Sequence, residues 1–137
     1  MIVIDASVFV AAILEDEQNA HSQYIYDLII KNEYEAIVPP IFYYDTSNVF
    51  LQCLRRLRIN ETQYQRYSQI LFGFKFLIDE EQSIKEVSSI AKLYGLPVYD
   101  AAYLELAIRG GYSLATLDKQ LSAAALQAKV KLELNQV

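Results

Sequence analysis

The chain begins MIVIDASVFVAAIL, and thirteen of these fourteen residues suit a dry interior once Ser7 finds a backbone partner. The short apolar run Ile2-Val3-Ile4 reads as a buried strand, and residues 6–14 as the helix that follows it at once. Asp5 stands at the junction, where an unpaired ion costs on the order of several kcal/mol to bury. Any fold for this chain must give that carboxylate a reason to be there.

The same pattern recurs along the sequence. A helix is expected over about 17–32, a second strand at Ala36-Ile37-Val38, and a stop at Pro39-Pro40. Residues 41–58 form a long helical pattern ending in Arg55, Arg56 and Arg58. Asn60, with Gln63 three residues on, marks a capping box for a helix reaching about Phe74. Phe76-Leu77-Ile78 is a third strand candidate, and 81–94 a helix closed by Gly95 and Pro97. Asp100 is expected to open a helix to about Arg109, ended by Gly110-Gly111. Ser113-Leu114-Ala115 reads as a strand, Asp118 as the start of a short helix, and residues 130–134 as a last strand. Short strands alternating with helices favour an α/β fold, a three-layer α/β/α sandwich on a short-stranded, mostly parallel sheet. With no linker or repeat in view, one domain over 1–137 is expected.

Charge and cysteine content narrow the function classes. One cysteine, Cys53, excludes a disulfide or a zinc cluster within the chain and favours a reducing compartment. The N-terminal run lacks a basic leader and is followed by Glu15-Asp16-Glu17, so it is not read as a signal peptide. No apolar run reaches the roughly 18 residues of a membrane span, and a cytoplasmic protein is expected. The net charge of −5 argues against a general nucleic-acid binder unless the deficit is concentrated in one place that cations can fill.

Most of the 17 acids, including Glu33, Glu35 and Asp79 to Glu81, are expected in solvent. Four are not. Asp5 ends the first strand. Asp45, in IFYYDTSNVF, has Ile41, Phe42 and Val49 as its helical neighbours, and Asn48 shares its face. Asp100 opens YDAAYLELAI, and Asp118 follows a strand in LATLDKQL. Taken singly, Asp5, Asp100 and Asp118 are good helix caps, each stabilising by about 1 kcal/mol. Taken together, three lie at strand-to-helix junctions that converge on the carboxyl edge of a parallel sheet, where such folds bind ligands.

A magnitude indicates what such a cluster must hold. Two carboxylates about 6 Å apart repel by about 3 kcal/mol at an effective dielectric near 20. Four of them make six pairs, on the order of 15 kcal/mol, as large as the whole stability of a domain. No lysine or arginine adjoins Asp5, Asp45 or Asp100 in sequence. Either several acids are protonated or a highly charged cation sits among them. Oxygen-only ligands select hard ions, Mg²⁺ or Mn²⁺. Such a site suits phosphodiester hydrolysis by activated water, with no side-chain nucleophile. Other catalytic arrangements are poorly supported. His21 lies on a polar helix and reads as surface, and neither a Ser-His-Asp set nor a phosphate-binding glycine loop is present.

IDASVFV, VPPIFYYDTSNVF, YDAAYLELA and LATLDKQL together resemble the four acidic motifs of PIN-domain ribonucleases, and in particular VapC-type toxins of toxin–antitoxin pairs. The resemblance spans Ile2 to about Leu134. It implies a PIN-like sandwich, Mg²⁺- or Mn²⁺-dependent cleavage of single-stranded or looped RNA, a homodimer and a cognate antitoxin. Carried over by motif, the metal-binding and catalytic acids are Asp5, Asp45, Asp100 and Asp118. Ser7 and Thr116 match hydroxyl residues beside the first and last acids, and Asn48 a polar residue one turn after the second. The second acid is usually Glu, so Asp45 is one methylene short.

Arg55, Arg56, Arg58 and Lys119 are the candidates for RNA phosphate contacts. Tyr24, Tyr64, Tyr67 and Tyr103 are candidates for base stacking or an interface, the plainer reading being amphipathic core. Two other functions stay open: a catalytically degenerate PIN-like domain that binds RNA or protein, and a phosphotransfer domain with Asp5 as nucleophile. The second lacks the acidic pair it needs, since Ala6 and Ser7 follow Asp5.

Overall fold

The computed structural model describes residues 1–14, 20–31 and 35–133. Its elements are β1 (Ile2–Ile4), α1 (Ala6–Ile13), α2 (Ala20–Ile30), β2 (Ala36–Val38), α3 (Phe42–Arg55), α4 (Glu61–Gly73), β3 (Leu77–Ile78), α5 (Ile84–Tyr94), α6 (Val98–Gly110), β4 (Ser113–Ala115) and α7 (Lys119–Gln127). The sheet is parallel, in the order β3-β2-β1-β4. β1 is therefore an inner strand, with Ile2 and Val3 paired to Ala36 and Ile37 on one side and to Ser113 and Leu114 on the other. Its three residues are almost fully buried, which is why the run is apolar without alternation. The helices complete a three-layer α/β/α sandwich of the expected class.

Local chemistry sets most helix ends. Asn60 and Gln63 form the reciprocal capping box, with side-chain to backbone bonds of 2.8 and 2.9 Å. Gly95 and Gly111 end α5 and α6 in the left-handed conformation that favours glycine. α6 begins earlier than expected. Pro97 stands at its cap, so Val98 and Tyr99 are helical and Asp100 sits in the first turn instead of capping it. α5 starts at Ile84 rather than at 81, after Ser83, and α3 ends at Arg55 with Leu57 left-handed. The expected last strand contracts to one parallel bridge between Leu132 and Leu114. Leu134 lies outside the described residues, as do residues 15–19, Glu33 and the side chain of His21.

The core is aromatic on one side of the sheet. Phe9 meets Phe42, Phe74 and Phe76 edge-on at 5.5–5.9 Å. The Tyr43 hydroxyl, donating to the Phe74 carbonyl at 2.6 Å, pins the approach to β3. Cys53 is a buried free thiol.

Two expectations about the surface are corrected. Asp79 is buried, as is Glu105, and both are held by Arg109: Nη2 lies 2.6 Å from Asp79 and Nε 2.8 Å from Glu105. These contacts raise the Arg109 pKa, Asp79 acting most and Glu105 next. Glu80 and Glu81 are exposed as expected. Tyr67 and Tyr103 are buried, 2% and 1% exposed, and so closed to base stacking. Tyr67 packs on Phe50 instead. Tyr64 is partly buried, and Tyr24 is exposed.

Candidate active site

The carboxyl ends of β1 and β4 lie side by side, the Asp5 amide donating to the Ala115 carbonyl. Asp5 therefore emerges next to Thr116. It caps α1, with Oδ1 accepting from the Val8 amide at 3.1 Å. The Ser7 hydroxyl donates to the same oxygen at 2.6 Å, and the Thr116 hydroxyl donates to Oδ2. Each hydroxyl in turn accepts a backbone amide at 3.0 Å, Leu117 on Ser7 and Asp118 on Thr116. Two successive amides of the β4–α7 loop are thus wired through two hydroxyls to the two oxygens of one carboxylate. Asp118 caps α7 through the Leu121 amide at 2.8 Å. Asp5 and Asp118 are helix caps, as their positions allow, and both also line the site.

That site is a cleft of about 510 Å³ whose walls include Asp5, Ser7, Asp45, Val49, Asp100, Tyr103 and Asp118. Asp45, half-buried in the first turn of α3, accepts the Tyr103 hydroxyl on Oδ2 at 2.7 Å. Among the described residues, none donates a hydrogen bond to the Asp100 side chain.

The electrostatics are first those of burial and second those of neighbouring anions. Burial, together with the nearby charge of Asp45, raises Asp5 to about 6, although the Ser7, Thr116 and Val8 hydrogen bonds oppose the rise. Burial also raises Asp45, against the Tyr103 bond. Burial and then the charges of Asp118 and Asp45 raise Asp100. Among the described residues no three His, Cys, Asp or Glu side chains close into a metal-holding cluster. The carboxylates border an open cleft. That arrangement suits an ion such as Mg²⁺, which keeps several of its waters, better than one that needs an all-protein cage. The donor set is oxygen only, and its unbalanced charge fits a hard divalent cation.

The cleft thus gathers Asp5, Asp45, Asp100, Asp118 and Ser7, with Thr116 bonded behind Asp5. Other candidates lie apart. Asn48 is exposed and outside the cleft walls, where Val49, four residues after Asp45, takes the helical position facing inward. Arg55, Arg56 and Arg58 are exposed at the far end of α3, with Arg55 about 15 Å along the helix from Asp45. Lys119 is exposed beside Asp118. The residue whose place the sequence reading missed is Tyr103. Its signal was its spacing, three residues after Asp100 and so on the same face of α6.

The chain is 26% identical over 124 residues to Ribonuclease VapC3 of Pyrobaculum aerophilum, covering 88% of this chain and 92% of that protein. Its fold is similar to the crystal structure of PAE2754 from Pyrobaculum aerophilum, with a TM-score of 0.72 and 26% identity over 96% of this chain and 81% of the other. FitAcB from Neisseria gonorrhoeae has the same fold at 18% identity, with a TM-score of 0.64 over 96% of each chain. The model of the PIN domain matches residues 2–126, almost the whole of the described chain, and the protein belongs to the PIN domain family.

Proposed function

We propose that the protein is a Mg²⁺- or Mn²⁺-dependent endoribonuclease, the toxin of a toxin–antitoxin pair acting in the cytoplasm. The observation that carries this reading is the convergence of four aspartates on one cleft, three of them with carboxyl pKa values raised by burial. Family membership and the likeness to a protein named as a ribonuclease support it. Asp5, Asp45, Asp100 and Asp118 would hold the ion. Bound there, it supplies positive charge for a phosphate and acidifies a water for attack at phosphorus.

The chain's own groups do the rest. Ser7 and Thr116 orient the Asp5 oxygens. Asp100, free of hydrogen bonds from described residues, is the acid best placed to accept a proton from the attacking water. Lys119, beside the cleft, meets phosphate, and the arginines at the end of α3 extend the track to a neighbouring nucleotide. An antitoxin would cover the cleft. A second copy of the chain would cover the exposed apolar face of Tyr44, Ile84, Val98 and Tyr99, giving a homodimer.

The test pairs Mn²⁺ titration calorimetry with cleavage of a panel of single-stranded and hairpin RNAs. Wild type is expected to bind Mn²⁺ and cut, and folded Asp100→Asn to lose cleavage. The degenerate-domain reading draws on the capping roles of Asp5 and Asp118. It expects no Mn²⁺ binding, and that result would replace the nuclease with a binding module.

A further inference from the structure

We propose that Tyr103 is a positioning residue for Asp45: its hydroxyl holds Oδ2 and leaves Oδ1 as the oxygen offered to a divalent cation. This rests on the metal-dependent reading of the cleft.

The four acids are supported in different ways. Asp5 has three donors around it, Ser7 and Val8 from its own strand-to-helix turn and Thr116 from the neighbouring β4–α7 turn, and Asp118 has a backbone amide of the helix it caps. Asp45 has no such turn. It lies inside α3, where its own backbone is committed to the helix, and its amide already bonds the Ile41 carbonyl. Among the described residues the Tyr103 hydroxyl is the one donor to its side chain. That donor comes from another helix, 58 residues along the chain. Because Asp100 and Tyr103 share a face of α6, the bond also sets the spacing between Asp45 and Asp100 across the cleft.

Tyr103 suits the task. Its ring is 1% exposed, fixed among core residues, so the hydroxyl cannot swing away. A buried tyrosine hydroxyl needs a partner, but any carbonyl would satisfy that need. Here it meets an acid on the wall of the cleft. A donor to one oxygen of a ligating carboxylate fixes its rotation and removes the alternative in which both oxygens compete for the ion.

The experiment measures Mn²⁺ binding by calorimetry in wild type, Tyr103→Phe, Asp45→Asn and the double variant, with circular dichroism and melting as fold controls. Tyr103→Phe is expected to bind Mn²⁺ about 10- to 100-fold more weakly. Its kcat for RNA should fall with KM unchanged. In the Asp45→Asn background the Phe substitution should cost nothing further. Placing 4-aminophenylalanine at position 103, which restores a donor on the same ring, should recover most of the affinity. Wild-type Mn²⁺ affinity in Tyr103→Phe, a full additional loss in the double variant, or no recovery with the amine would each overturn the proposal and leave the metal site standing. Failure of wild type itself to bind Mn²⁺ would overturn the metal reading and this proposal with it.

Discussion

Substituting Asp5 by Asn separates what the buried carboxylate costs from what it is for. Its pKa of about 6, against the ordinary 3.8, corresponds to about 3 kcal/mol at about 1.4 kcal/mol per pH unit. The sign follows from where the proton sits. Below the ordinary value Asp5 is protonated in folded and unfolded chains alike. As pH rises toward about 6 the unfolded chain releases its proton while the folded one keeps it, so stability falls, and above that the whole deficit remains. Asparagine has no such loss. In urea unfolding with EDTA present, Asp5→Asn should gain on wild type by about 2 kcal/mol between about pH 4.5 and about pH 7.5. A constant offset between the two proteins, from the Thr116 hydroxyl having to find a new acceptor, does not affect that difference. Adding Mn²⁺ at about 100 times its dissociation constant should then return about 2.7 kcal/mol to wild type and nothing to the variant. If the two proteins keep the same separation at both pH values, Asp5 is not held as a strained ion and the electrostatic reasoning fails. If Mn²⁺ stabilises both equally, Asp5 is not a ligand.

Other substitutions probe the frame around the site. Thr116→Val removes the donor to Asp5 Oδ2 and the acceptor of the Asp118 amide, and should cost about 2–3 kcal/mol in chemical denaturation at neutral pH. Arg109→Ala leaves Asp79 and Glu105 buried without their cation, for a loss of about 2–3 kcal/mol; the figure sits below that for a fully buried pair because Arg109 is a third open to solvent. An Arg109→Ala protein as stable as wild type would show that the two acids are content as neutral groups. Asn60→Ala breaks the capping box of α4 and should lower stability by about 1 kcal/mol, read as a shifted denaturation midpoint with no change in Mn²⁺ affinity.

What the sequence disclosed, and what it hid, divides along the range of the interactions involved. Ile2-Val3-Ile4 was legible because an inner parallel strand has no wet face. The Asn60–Gln63 box and the left-handed Gly95 and Gly111 were legible because the chemistry lies within a few residues. The start of α6 was misplaced because two local signals compete there: Asp100 is a good cap, but Pro97 is preorganised for a helix beginning just after it. Asp79 was misread because its partner, Arg109, lies 30 residues away. The role of Tyr103 was hidden in the same way, since its hydroxyl meets an acid from a different helix. Local chemistry wrote the elements; the pairings across them exist only once the sheet has brought the elements together.

The acidity of the chain now has a place. Without the four cleft aspartates, the remaining thirteen acids nearly balance twelve lysines and arginines. The deficit that argued against nucleic acid is therefore concentrated in one cleft, and the rest of the surface is close to neutral. Concentration at that level has a physical consequence. If the proposed function holds, an RNA phosphate approaching the cleft would be repelled by the same carboxylates that would draw a divalent ion in, so the ion would decide whether substrate is admitted as well as whether it reacts. On this reading the low pI is not a property of the surface that RNA meets. It would be the charge of a socket, in which the Ser7 and Thr116 hydroxyls hold the two Asp5 oxygens in place for a cation.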